Sequence, residues 1–311
     1  MRRPELILGL VVLVGSVLGA CGSAPAPRST AEPDRTTAVF DLVTRSGKTY
    51  LSDQYVLAGT DDTLVATCMR AKGLRYVVPT SRPPDRNAAR ASLLVQRADQ
   101  GYGLFEQYST TRAADTPVSV AGSNDQYVAE LSGPKRARYL EALRGDPDQV
   151  AGLQLADGRK VAYPTHGCEA EARAQLYSDP TTAMQIAYIP QIVNIALRKS
   201  FSSNDQYTGA LRAWRSCMAA AGEKYDFPAA ARAELEQAYQ KKGATPARHQ
   251  REITVATKDQ HCDDQAGLSA AAVAAGQSYL RALPASDRTE LQRLATARLA
   301  AVETARRISN G

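Results

Sequence analysis

The sequence predicts a mainly α protein with a small β-hairpin element: a disulfide-stabilised helical domain carrying an internal duplication. Three observations lead there. Apolar residues recur at helical spacing over much of the chain beyond residue 36. The pattern Cys-Met-x-x-x-Gly-x-x-Tyr-x-x-Pro occurs twice, at Cys68–Pro79 and at Cys217–Pro228. Four cysteines, Cys68, Cys168, Cys217 and Cys262, remain once Cys21 is assigned to an export signal.

That signal comes first. Arg2 and Arg3 precede an apolar run from Leu6 to Ala20, which ends in Leu18-Gly19-Ala20-Cys21. The run is too short for an ordinary spanning helix and has the layout of a signal peptide. Leu-Gly-Ala-Cys resembles the lipobox of bacterial lipoproteins. The resemblance implies cleavage before Cys21 and a diacylglycerol on its sulfur, with the mature chain held on the extracytoplasmic face of the cell membrane. Buried acyl methylenes hold such a protein without a transmembrane helix. Residues 1–20 are then the signal peptide and residues 21–36 a lipidated tether rich in Ala, Pro and Ser. Residues 37–311 form a single mainly helical domain of two pseudo-repeat halves, about 37–178 and 179–311. The full chain carries a formal charge of +6, and loss of Arg2, Arg3 and Glu5 lowers it to +5. That mild excess suits anionic lipid or wall polymers and is no footprint of nucleic-acid binding.

In the first half, Thr60 or Asp61 is expected to cap a helix in which Leu64, Val65, Cys68 and Met69 face inward and which Gly73 ends. Tyr76, Val77 and Val78 read as extended chain. The stretch from Arg82 to Pro164 reads as an insertion in this half. Within it, Gly101-Tyr102-Gly103-Leu104-Phe105 and Tyr108 suit a strand or a packed loop. Ser132, Pro134 and Gly145 bracket a helix carrying Tyr139, Leu140 and Leu143. Asp157-Gly158, between alternating apolar positions, marks a hairpin over Gln154–Tyr163. Gly167 to Tyr177 reads as a helix. Asp179-Pro180 opens the next, whose most apolar part, Met184 to Leu197, Pro190 should kink or split.

In the second half, Asn204 or Asp205 caps a helix with Tyr207, Leu211, Trp214 and Met218 on one face. Ala210, Cys217 and Ala221 widen that face, and core packing around Trp214 is the expectation. Gly222 suits the left-handed residue beyond the helix end. Tyr225 and Phe227 then lead into a helix from Pro228 to Lys242, stopped by Gly243. Pro246 to Leu283 makes one helix or two around Cys262. Asp287 with Glu290 forms a capping-box-like start for the last helix, through Ile308.

An even number of cysteines in an exported chain implies disulfides, and four allow three pairings. If each copy of the repeat carries its own bridge, the pairs are Cys68–Cys168 and Cys217–Cys262. The settings His166-Gly167-Cys168-Glu169 and His261-Cys262-Asp263 are loosely similar.

Little in the chain points to catalysis. His166, His249 and His261 are the three histidines, and no HExxH, GxSxG, P-loop or dinucleotide glycine motif occurs. His261, Cys262, Asp263 and Asp264 have the residue types of a metal site, but a disulfide sulfur is no thiolate ligand, so neither metal nor cofactor is expected. Glu169 with Glu171, and Asp263 with Asp264, are acidic pairs. A glycosidase needs two carboxyls across a cleft, whereas acids beside a helix start complement its dipole. Ser123–Tyr127 and Ser203–Tyr207 share Ser-Asn-Asp-Gln-Tyr, with Ser52–Tyr55 a partial third. Capping followed by a packed tyrosine accounts for all of these.

The duplicated cysteine pattern resembles that of a group of uncharacterised exported proteins and lipoproteins of high-GC Gram-positive bacteria, and the Ala- and Arg-rich composition agrees. The resemblance covers the lipobox and both cysteine motifs. It implies an exported, mainly helical protein and transfers no catalytic residue. The expected function is that of a non-enzymatic, lipid-anchored envelope protein binding a protein partner or wall polymer. A cell-wall-acting hydrolase and a small-molecule-binding lipoprotein are the alternatives.

Overall fold

The computed structural model describes residues 35–47, 49–79, 101–114 and 123–310. The stretch read as a signal peptide, and Cys21 with it, lies outside them. Twelve α-helices and one two-stranded sheet make up the regular structure of the described residues. Helix α1 (Arg35–Thr44) leads to α2 (Tyr50–Ala71), which is longer than the sequence suggests. Thr60 and Asp61 sit in its middle rather than at a cap. Leu57 extends the inward face upstream of them, and the Thr60 hydroxyl donates to Val56 O at 2.9 Å. A side chain satisfied by its own helix gives no reason to start one there.

Gly73 ends α2 with φ of 71°, and Leu74 N–H donates to Met69 O at 2.9 Å. Residues 74–79 follow without a strand partner. Asn124 takes both backbone groups of Val77 instead, accepting from its N–H and donating to its carbonyl, each at 2.8 Å.

The glycine-flanked aromatic run is neither strand nor loop throughout. Gly101 to Gly103 turn, and α3 (Leu104–Ala114) begins at once. Helices α4 (Asn124–Glu130) and α5 (Gly133–Arg144) follow. The hairpin pairs β1 (Val150–Gln154) with β2 (Lys160–Pro164), antiparallel, with Gly152 opposite Ala162. Gly158, at φ of 88°, makes the turn, and the paired region starts four residues before the expected Gln154.

Helix α6 (Cys168–Tyr177) starts where two glycines touch. A Cβ on Gly167 would lie 2.4 Å from the Gly145 nitrogen, so the C-terminal end of α5 and the start of α6 meet through bare backbone. Asp179 caps α7 (Pro180–Ser200), accepting from Thr182 N–H at 2.8 Å. The helix runs on through Pro190, which is buried inside it, so the proline does not split it. Packing against α1, α6 and α12 outweighs the one backbone bond that a proline removes.

Beyond a 3-10 turn (Phe201–Ser203) lies α8 (Asp205–Ala220), capped by Asn204, which accepts from Tyr207 N–H at 2.9 Å. Helices α9 (Pro228–Lys242) and α10 (Pro246–Ala266) come next. Left-handed Gly267 separates α10 from α11 (Leu268–Ala282), so the stretch around Cys262 is two helices, with the cysteine inside the first. Helix α12 (Ala285–Asn310) begins two residues before Asp287. Glu290 there pairs with Arg293 at 2.7 Å instead of closing a capping box.

Two disulfides tie helix pairs together, Cys68–Cys168 joining α2 to α6 and Cys217–Cys262 joining α8 to α10. Each bridge sits in an apolar cluster. Val65, Met69, Tyr139 and Leu143 surround the first; Trp214, Met218 and Leu268 surround the second. Trp214 and Met218 are fully buried, as their stripe predicts. Other clusters cross the chain. Tyr102 and Leu104 near α3 pack with Leu235, Tyr239 and Val255 of α9 and α10. Val39 and Val43 of α1 meet Leu197, Ala272 and Leu291. Leu57 of α2 and Leu176 of α6 meet Ala301, Val302 and Ala305 of α12. Among the described residues, no helix is long and apolar enough to cross a membrane.

Candidate functional site

The acidic residues are the natural starting point, because burial of a charge demands partners. Helix α10 turns Glu252, Asp259 and Asp263 into the interior along with Val255, Ala256 and Cys262. Glu252 is completely enclosed. Its Oε1 accepts from the N–H groups of Tyr102 and Leu104 at 2.7 and 2.8 Å. Its Oε2 accepts from Phe105 N–H at 3.1 Å and from the Tyr239 hydroxyl at 2.7 Å. The carboxylate therefore caps α3, whose first N–H groups have no helical acceptor of their own. A Cβ on Gly101 would lie 2.6 Å from Glu252 Cγ, which is why the approach is glycine. Burial and the bonded carboxylate both push the Tyr239 hydroxyl far above its ordinary pKa.

One turn and more along, Asp259 accepts from the Tyr102 hydroxyl and from Trp214 Nε1, each at 2.9 Å. Asp263 accepts from Ser269 N–H at 2.8 Å and from its hydroxyl at 2.5 Å, holding the start of α11. Buried Glu223, just past Gly222, is gripped by both terminal nitrogens of Arg251, at 2.6 and 2.7 Å, and by Lys258 at 2.9 Å. Arg251 first, and Lys258 with it, hold the Glu223 carboxyl below its usual range. These acids are occupied as acceptors by the fold itself.

A second polar group lies between α2, α5 and α6. Glu169 faces Arg173 at 3.3 Å and Arg144 at 3.8 Å. Glu171, its sequence neighbour, pairs instead with Lys72 at 3.1 Å. Burial pushes the Asp61 carboxyl up to about 7 against the opposing charge of Arg173. Asp61 Oδ1, Arg144 Nε, Arg173 Nη1 and the Tyr139 hydroxyl are enclosed without a hydrogen-bond partner.

The histidines do not converge. His166 is exposed and bonds Thr165, His249 stacks on Phe105 with ring centres 4.2 Å apart, and His261 is exposed. Among the described residues no group of three or more His, Cys, Asp or Glu side chains could hold a metal ion. The two Ser-Asn-Asp-Gln-Tyr runs are both helix starts, but the capping atom differs. Ser123 Oγ caps α4, freeing Asn124 for Val77, whereas Asn204 itself caps α8. Ser52–Tyr55 lies inside α2.

A surface feature that the sequence does not disclose lies where α1, α11 and α12 meet. A cleft of about 140 Å³ is lined by Leu42, Val43, Leu280 and Leu291, with Arg45, Arg281 and Arg288 around them. Arg45 donates to Gln292 Oε1, Arg281 to Ser278 Oγ at 3.0 Å, and Arg288 to the carbonyls of Arg281 and Leu283. All three guanidiniums are exposed and none is paired with a carboxylate among the described residues, unlike Arg293, Arg298 and Arg306 of α12. Each retains donors beyond those used. Arg281 and Arg288 flank the turn between α11 and α12, whereas Arg45 comes from beyond the end of α1, more than two hundred residues earlier, so no local motif signals the three together.

The chain matches no family model, no curated protein and no solved structure.

Proposed function

We propose that the protein is lipid-anchored through Cys21 on the extracytoplasmic face of the cell membrane and acts there by binding rather than by catalysis. The observation that carries the anchor is Leu18-Gly19-Ala20-Cys21 at the end of an Arg-led apolar run. Two disulfides support an oxidising compartment. Support for binding comes from where the acids are spent. Glu223, Glu252, Asp259 and Asp263 serve helix caps, aromatic donors and ion pairs, which disfavours the rival reading as a wall hydrolase. A partner that is anionic, whether wall polymer or protein, suits the net positive charge of the chain.

The same reading treats the halves as duplicates. After Cys68-Met69 and Cys217-Met218 the helix ends repeat bond for bond, Leu74 N–H to Met69 O at 2.9 Å and Glu223 N–H to Met218 O at 2.8 Å. Both bridges have Cα atoms 5.5 Å apart.

Metabolic labelling tests the anchor. Cells making the chain are fed a labelled fatty acid. Label should appear on the wild type and be lost with Cys21→Ala; a wild type that takes up no label refutes the proposal.

A further inference from the structure

We propose that the cleft between α1, α11 and α12 is a docking surface for the anionic phospholipid headgroups of the membrane. Its chemistry is that of an interface. Leu42 and Leu280 present half-buried apolar surface, and Arg45, Arg281 and Arg288 ring it with charge that no carboxylate among the described residues pairs with. A headgroup phosphate supplies what those guanidiniums lack. Arginine grips phosphate oxygens through paired N–H groups, and its weak hydration lets it do so beside apolar side chains. Arg288 is already steadied by two backbone carbonyls, and Arg45 by Gln292, so little side-chain freedom is lost on binding. The nearest acid in sequence, Asp287, accepts from Ser286 at 3.1 Å and forms no ion pair with Arg288.

The size of the cleft argues for surface docking. About 140 Å³ admits a phosphate and its neighbouring atoms, not a whole lipid. Reach is no obstacle. Cys21 and Arg35, the first residue of α1, are separated by a stretch that extends to at most roughly 50 Å, and α1 itself adds about 15 Å. The inference rests on the anchoring reading for the presence of a bilayer, but not for the chemistry of the cleft.

The test therefore uses the chain from Gly22 onward, which keeps every described helix and both disulfides and carries no lipid. Its binding is measured to vesicles of phosphatidylcholine, with and without phosphatidylglycerol. Binding should need the anionic lipid and weaken with salt. Each basic residue at an anionic surface is worth about 1 kcal/mol, so R45Q/R281Q/R288Q should bind on the order of a hundredfold more weakly. K224Q/K241Q/K242Q removes the same charge from exposed lysines elsewhere and should bind within a fewfold of wild type. An equal loss in both variants reduces the effect to net charge and overturns the proposal. So does binding of soluble glycerol phosphate as tightly as vesicles, which makes the ligand a free anion. Should the triple variant fail to fold, amide exchange of the wild type decides. Anionic vesicles should slow exchange over residues 280–291, and unchanged exchange there refutes the docking. Failure of Cys21 labelling leaves this experiment intact, so the two readings fail separately.

Discussion

Replacement of Glu252 tests whether a buried carboxylate, rather than α3's own sequence, starts that helix. Glu252→Ala leaves the N–H groups of Tyr102, Leu104 and Phe105 and the hydroxyl of Tyr239 without their acceptor. An orphaned buried donor costs roughly 1–3 kcal/mol, and water entering the vacated space recovers part of the sum, so about 4 kcal/mol is expected. Glu252→Gln is the finer probe. Its single oxygen keeps the bonds from Tyr102 and Leu104, while its amide group meets Phe105 N–H donor to donor. Tyr239 can turn its hydroxyl to accept. One lost acceptor and one lost charge at a helix start amount to about 2 kcal/mol. Urea unfolding of the disulfide-intact chain should rank wild type above Gln above Ala, with unchanged slopes. Amide exchange over residues 104–114 should quicken in the same order. A Glu252→Gln variant within about 0.5 kcal/mol of wild type would sink the capping argument.

Asp61 gives a prediction with pH as the variable. Burial raises its carboxyl to about 7, so the folded chain keeps a proton that the unfolded chain releases near pH 4, and stability falls as pH rises through that window. Asp61→Asn should match wild type at pH 4 and exceed it at pH 8 by up to about 4 kcal/mol; parallel curves would refute the shift. Trp214→Ala should cost about 3–5 kcal/mol, and the native indole should resist acrylamide quenching. Removing Cys217 and Cys262 together, as Ala, should cost about 4 kcal/mol, and Cys68 with Cys168 slightly more for its longer loop. Non-reducing peptide mapping must return those two pairs and no Cys168–Cys217 peptide. Gly167→Ala should destabilise by more than about 2 kcal/mol because its Cβ meets backbone, whereas Gly158→Ala, equally left-handed but in open space, should cost about 1 kcal/mol.

Features written in a few adjacent residues were legible in the sequence. The stripe through Trp214, the stops at Gly73, Gly222 and Gly243, and the Asp157-Gly158 turn depend on local spacing and backbone freedom. The disulfide pairing was legible because the motif repeats. What escaped notice depends on partners far along the chain. Gly101 to Phe105 looks extended until Glu252, 147 residues beyond Phe105, supplies an acceptor for the helix start. Thr60 and Asp61 look like a cap because Ser, Thr and Asp serve that role elsewhere, but packing of Leu57 on α12 carries α2 straight through them. The arginine-rimmed cleft draws one arginine from each of three helices or their ends, so composition alone gives no hint of it.

The seating of α12 against α2 and α6 bears on how the chain is made. Thr60 and Ala305 touch although 245 residues separate them. Translation delivers Leu57 and Leu176 long before Ala301, Val302 and Ala305, which complete their apolar cover. Asp53 likewise waits, buried, for Arg298 and Arg306. The Cys68–Cys168 bridge joins two helices that are both complete in the chain before α12 begins, so closing it does not require that cover. A premature stop near Leu299 would spare all four bridging cysteines and still leave the earliest helices with a bare seam. Such a product would be correctly cross-linked yet open to proteolysis, so the stability of the chain's beginning hangs on the end of its message.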